Sequence, residues 1–217
     1  MIVLSDLDHT LVDENSTYGF VRMALEEAGR SDDAEAVARL HARTGGRGFL
    51  FAALHRVTGS DLARPWALGR LAGLERDFLA QVGRRYAPAL WERAPLEAPR
   101  DRLEELQRDG GRVVLVSSSL EEVVAPIAEL LGVDHRASAL AYQGGRCTGT
   151  LERDLTGRKE DAVEELLRSG EPLAFLTDNL TDYDLMARAD RRIVVLRRAS
   201  ERAAWARLEP EFVEVGG

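Results

Sequence analysis

The 217-residue chain has one cysteine, Cys147, so no internal disulfide can form and a reducing compartment such as the cytoplasm is the expected setting. Cys147 itself reads as a half-buried, inert thiol. No apolar run approaches the ~20 residues that span a bilayer, which excludes a membrane-crossing helix. No signal-peptide pattern is present: Met1 leads straight into a strand-like run and then Asp6. There is no basic surplus either. The net charge is −8, which argues against a nucleic-acid partner, because phosphate backbones need a basic surface. Internal repeats, low-complexity tracts and heptads are absent. Lysine is nearly absent: of 29 basic residues, one is lysine, Lys159, and the other 28 are arginine. A position that stays lysine in such a background points to a need for a compact ammonium, with chance as the competing reading.

What is present is 45% hydrophobic and 30% charged, a globular balance, and enough chain for one large core or a core plus an inserted unit. Five short apolar runs read as buried parallel strands: Ile2–Leu4, Val113–Val116, Leu173–Leu176, Ile193–Leu196 and Phe212–Val215. Helical faces lie between the later ones, with Val123, Val124, Ile127, Leu130 and Leu131 on one and Ala162, Val163, Leu166 and Leu167 on another. Strand alternating with helix predicts an α/β domain with a parallel, Rossmann-like sheet flanked by helices. Residues 14–95 break that rhythm. Thr17–Ala28, Asp32–Thr44, Phe49–Val57 and Pro65–Tyr86 look helical, and Ala94–Pro99 looks like a return linker. The expected organisation is therefore a core of residues 1–13 and 96–217 with a helical unit, 14–95, inserted after the first strand. Gly144 and Gly145 suggest a hairpin tip.

Three strands run into polar groups: Asp6 and Asp8 after the first, Ser117, Ser118 and Ser119 after the second, and Asp178 with Asn179 and Asp182 after the third. Open α/β sheets bind ligands outside the carboxyl ends of their strands, so these groups should converge. Four carboxylates gathered together need a cation. An all-oxygen donor set without His or Cys favours Mg²⁺ over zinc. Ser117–Ser119 sit where a helix should begin, with Glu122 placed as in a capping box, and such a helix start can hold a phosphate or simply be an N-cap. Lys159 would add positive charge. A nucleophilic carboxylate, a metal, an anion seat and an ammonium suit phosphoryl transfer through an aspartyl-phosphate.

These residues also carry a family resemblance. Asp6-Leu7-Asp8-His9-Thr10 resembles the D-x-D-x-T motif of the haloacid dehalogenase superfamily, and Leu115-Val116-Ser117 resembles its second motif. Lys159 resembles the third, and Asp178 to Asp182 the acidic fourth. The order covers nearly the whole chain. The helical insert and Gly144–Gly149 resemble the phosphoserine-phosphatase-like branch, whose inserts are caps. The resemblance implies Asp6 as nucleophile and Asp8 as general acid and base. Ser117 and Lys159 would hold the phosphoryl group, with Ser118 and Asn179 as further substrate contacts. Mg²⁺ would take the Asp6 carboxylate, the Asp8 carbonyl and the Asp178 carboxylate, with Asp182 orienting the metal site. Arg56 resembles a cap arginine that grips a substrate carboxylate, and a plain surface arginine is an equal reading.

Two departures stand out. Asn15, beside Glu14, stands where phosphoserine enzymes carry a glutamate for the substrate amine, and Thr177 stands where a glycine usually precedes the fourth motif. The implied activity is a Mg²⁺-dependent phosphatase of a small phosphorylated metabolite. Phosphoryl transfer to an acceptor and a non-catalytic phospho-ligand-binding role are the alternatives. The sequence carries no signal for an oligomeric state.

Overall fold

The computed structural model describes residues 1–41 and 62–215. A seven-stranded sheet runs in the order β4-β3-β2-β1-β5-β6-β7. Its strands are β1 (Ile2–Ser5), β2 (Arg112–Leu120), β3 (Asp134–Gln143), β4 (Arg146–Arg153), β5 (Leu173–Thr177), β6 (Arg191–Leu196) and β7 (Glu211–Glu214). Only the β3–β4 pair is antiparallel; the other pairings are parallel. β1 is central, with β2 on one side and β5 on the other. Ser5 lies level with Leu115 and with Leu176. The next residue, Asp6, therefore leaves the sheet where the strand order reverses, the place at which such sheets bind ligands.

β1 is buried along its whole length because both faces of the sheet are covered. Side chains alternate across a strand. Ile2 and Leu4 join Val114, Val116 and Phe175 on one face; Val3 joins Leu115 and Leu176 on the other. Each such side chain, fully buried, contributes roughly 1.5–3 kcal/mol.

Four helices among the described residues lie between β1 and the strand-leading helix α5 (Glu97–Arg108): α1 (Ser16–Glu27), α2 (Ser31–His41), α3 (Ala63–Gly69) and α4 (Arg76–Arg93). The apolar stripe of α1 (Phe20, Val21, Ala24, Leu25) and that of α4 (Leu79, Val82, Tyr86, Leu90) share one cluster with Val3 and Leu7. α4 also packs on α6 (Glu121–Leu131) at close range, because a Cβ built on Gly83 would lie 2.0 Å from the Glu122 carbonyl oxygen. The β3–β4 hairpin turns at Gly144 and Gly145, both at positive φ, which suits the tight turn expected there. Its far strand grips the α3–α4 loop through Gly73 N–H to the Cys147 carbonyl and Cys147 N–H to the Leu74 carbonyl, both 2.8 Å. Among the described residues no helix is long and apolar enough to cross a membrane.

Four local expectations change. The Pro65–Tyr86 stretch is not one helix; it breaks between α3 and α4, where Gly73 takes φ 86° and pairs with the hairpin. The 162–167 pattern splits at Val163 into α7 (Lys159–Ala162) and α8 (Glu164–Leu167). β7 is an edge strand and only half-buried, although its sequence is apolar enough to suggest a core strand. The Ser119–Glu122 capping box does not form. β2 continues to Leu120, which pairs with Ser138 of β3, so the helix starts later, at Glu121. Ser119 and Glu122 take other partners: Asp8 for the serine, and Tyr142 Oη, donating at 2.6 Å, for the glutamate.

Candidate active site

The loop after β1 is drawn tightly around Asp6. The Leu7 N–H donates to Asp6 Oδ1 at 2.7 Å, and the Asp6 N–H donates to the Leu176 carbonyl at 2.9 Å. Lys159, 3% exposed, donates to Asp6 Oδ2 at 2.6 Å and to Asp182 Oδ2 at 2.7 Å. Burial alone would lower the lysine, but the two carboxylates outweigh it and hold its ammonium above the ordinary range. A buried lysine, 153 residues along the chain from Asp6, thus ties the strand-one aspartate to the acidic turn after β5.

Asp8 faces a different set of groups. Its Oδ2 accepts from Ser119 Oγ at 2.7 Å and from the Ser16 N–H at 2.9 Å, while its Oδ1 is buried with no hydrogen-bond partner among the described residues. Burial pushes its carboxyl up to about 6, against the pull of those hydrogen bonds. Ser16 Oγ in turn donates to Ser119 Oγ at 2.8 Å. Ser117 is fully buried, and its Oγ accepts from the Ser119 N–H at 3.2 Å. The hydroxyl keeps its own proton for another acceptor.

Thr10 links the first motif to the fourth. Its Oγ1 donates to Asp178 Oδ1 and accepts from the Asp178 N–H, both at 3.1 Å. Burial, reinforced by the charge of Asp6, pushes the Asp178 carboxyl up to about 7. Thr177 explains its own departure from the expected glycine: its Oγ1 donates to Asp182 Oδ2 at 2.7 Å and accepts from the Asn179 N–H at 3.1 Å. Asn179 Oδ1 accepts from the N–H and Oγ1 of Thr181, each at 3.0 Å, so that end of its side chain shapes the acidic turn. The Ser118 carbonyl accepts from Ser138 Oγ at 2.8 Å and from Arg64. Arg56 lies outside the described residues.

Asp6, Asp8, Ser117, Lys159, Asp178 and Asp182 are thus connected around the carboxyl ends of β1, β2 and β5. Asp182, expected at the metal, has one oxygen committed to Lys159 and Thr177. Among the described residues no three His, Cys, Asp or Glu side chains gather as a ready-made cage. The donor set nonetheless fits a hard cation that takes one or two carboxylates and completes its shell with carbonyl, water and substrate oxygens. Two carboxyls held above their ordinary range by burial and by a neighbouring carboxylate are what such a cation would relieve.

Ser16 and Arg64 were not singled out by sequence reasoning, and Ser119 was read as a helix cap and not as a partner of Asp8. Ser16 stands directly before the helical pattern read over Thr17–Ala28, and the helix in fact begins at it. Cys147 is buried more deeply than expected, and burial raises its thiol, in keeping with an inert role.

The sheet is parallel but for one pair, and its central strand delivers a lysine-bridged aspartate to the crevice. The family model for haloacid dehalogenase-like hydrolases matches residues 3–187, and the chain belongs to that family. No curated protein matched the sequence. Among solved structures, a protein of unknown function from Bordetella pertussis Tohama I is similar at 23% identity and TM-score 0.76, covering 98% of this chain and 97% of that one. A substrate-bound phosphoserine phosphatase is similar at 20% identity and TM-score 0.61, with 94% and 89% covered. Cytosolic 5′-nucleotidase IIIB bound to cytidine is similar at 13% identity and TM-score 0.63, with 99% and 79% covered. At these identities the likeness is one of fold.

Proposed function

We propose that this chain is a Mg²⁺-dependent phosphomonoester hydrolase of a small phosphorylated metabolite, working in the cytoplasm through an aspartyl-phosphate on Asp6. The observation that carries the reading is the buried Asp6–Lys159–Asp182 bridge beside a protonatable Asp8. Asp6 attacks phosphorus. Asp8, lifted by burial toward neutral pH, gives its proton to the leaving oxygen and then takes one from the attacking water. Ser16 and Ser119 aim the Asp8 carboxyl. Ser117 donates to a phosphoryl oxygen, and Lys159, oriented by Asp182, balances its charge. Mg²⁺ held by the Asp6 carboxylate, the Asp8 carbonyl and the Asp178 carboxylate would supply charge neutralisation. Asp182 then serves as the anchor of Lys159 instead of a metal ligand. Helices α1–α4 form the inserted cap of residues 14–95 on this reading, with Ser118, Asn179 and Arg56 as candidate substrate contacts.

The test is phosphate release from a panel of small phosphate esters, with Mg²⁺ and with EDTA, for the wild type and Asp6→Asn. Release that needs both Mg²⁺ and Asp6 is expected. Release that persists in folded Asp6→Asn, or none from any ester, overturns the reading.

A further inference from the structure

Arg64, the second residue of α3, leaves the helical insertion and reaches the sheet. Its side chain is only 13% exposed. One terminal nitrogen donates to Asp154 Oδ1 at 2.7 Å and to Thr156 Oγ1 at 2.6 Å; the other donates to the Ser118 carbonyl at 2.5 Å. These partners belong to two segments that flank the phosphoryl seat: the end of β2, which carries Ser117, and the turn that leads into Lys159. Ser138 reinforces the same junction, donating from Oγ to the Ser118 carbonyl at 2.8 Å and accepting from the Leu155 N–H at 3.1 Å.

The Ser118–Ser119 peptide has two ends. No peptide bond among the described residues is cis, so its carbonyl and its N–H point in opposite directions. The carbonyl is held by Arg64 and Ser138. The N–H donates to Ser117 Oγ at 3.2 Å. That bond fills an acceptor site of the Ser117 hydroxyl and so directs its proton elsewhere. The residue supplying the N–H, Ser119, also donates from its side chain to Asp8. Rotation of this one peptide would disturb the Ser117 donor and the Asp8 carboxyl together.

We propose that Arg64 is a positioning residue for phosphoryl transfer, fixing the Ser118–Ser119 peptide from the insertion side and through it the Ser117 hydroxyl. The inference rests on the hydrolase reading above and deepens it. An ordinary surface ion pair with Asp154 would not require the carbonyl contact. A lysine could keep the Asp154 pairing but lacks the fork that spans Asp154, Thr156 and the Ser118 carbonyl.

The test is a double-mutant cycle of Arg64→Lys and Ser117→Ala, read as kcat and KM on p-nitrophenyl phosphate and as the Kd of inorganic phosphate with Mg²⁺. Ser117→Ala should lose about 100-fold in kcat. Arg64→Lys should lose about tenfold in kcat with KM held within about threefold, and only about threefold once Ser117 is already alanine, the remainder being the part that reaches Asp8 through Ser119. A purely structural role would lower the denaturation midpoint and leave the two losses independent. An undiminished Arg64→Lys effect in the Ser117→Ala background, an effect on KM alone, or wild-type kinetics overturns the proposal. If Arg64→Lys fails to fold, Asp154→Asn, which frees one anchor of the guanidinium, is run through the same cycle with an expected loss of about threefold. If the wild type binds inorganic phosphate but hydrolyses nothing, the hydrolase reading fails and the cycle is read from Kd, where the same non-additivity is expected and additivity overturns it. A wild type that neither hydrolyses nor binds phosphate sinks both.

Discussion

Asp178 gives the sharpest test of the electrostatics of the site. In metal-free protein its folded carboxyl is held at about 7, against an ordinary 3.8, first by burial and then by the charge of Asp6. The folded state therefore binds a proton that the unfolded state has released, from the ordinary value up to the raised one. Stability must fall as pH rises through that window and level off above it. At about 1.36 kcal/mol per pH unit the full cost is about 4 kcal/mol, and partial solvent exposure reduces it to about 2 kcal/mol. Asp178→Asn keeps the shape and removes the charge. In EDTA, the stability of the variant minus that of the wild type should grow by about 1–2 kcal/mol between about pH 5 and about pH 8, read by urea denaturation. Saturating Mg²⁺ should then stabilise the wild type by about 2–3 kcal/mol at about 100 times its Kd and the variant by much less. A gap that stays flat with pH, or equal stabilisation of both proteins by Mg²⁺, refutes the argument.

Two further outcomes follow from packing and from the buried bridge. Lys159→Met leaves Asp6 and Asp182 buried without their cation and should cost about 3–5 kcal/mol near neutral pH, measured as a shift in denaturant midpoint; a loss below about 1 kcal/mol would show that the bridge is not holding the two segments together. Gly83→Ala should cost about 1–3 kcal/mol, despite the better helix propensity of alanine, because the new methyl meets the Glu122 carbonyl, whereas Gly69→Ala in open space should be neutral or slightly stabilising; equal effects at both positions would remove the close approach of α4 and α6 as the cause.

The candidate site was legible because strand ends carry it. β1, β2, β5 and β6 each carry a continuous apolar run, as strands covered on both faces must, and the polar residues that follow the runs of β1, β2 and β5 are those that meet in the crevice. β3 left no such run. Its burial is uneven along Asp134–Gln143, and its sequence mixes alanine, serine and charged residues, so only its glycine turn stood out. The capping box was misplaced for a related reason. Ser119 and Glu122 have the right types and spacing, but the pairing of Leu120 with β3 prolongs the strand, a long-range hydrogen bond that no local pattern encodes.

The resemblance has Asp182 orienting the metal site, and the structure commits one of its oxygens to Lys159 and Thr177. Order and spacing put four carboxylates near one another but do not say which oxygen each presents. That choice is made by Thr177, whose hydroxyl holds the Asp182 oxygen that Lys159 shares. A glycine there could not have made this bond, so the departure from the family pattern is itself part of how this chain fixes its lysine. Arg64 was out of reach altogether, since its partners lie 54, 90 and 92 residues away. In a chain whose basic residues are nearly all arginine, one more carries no mark of its own, and only the fold shows which arginine meets the strand end that bears Ser117.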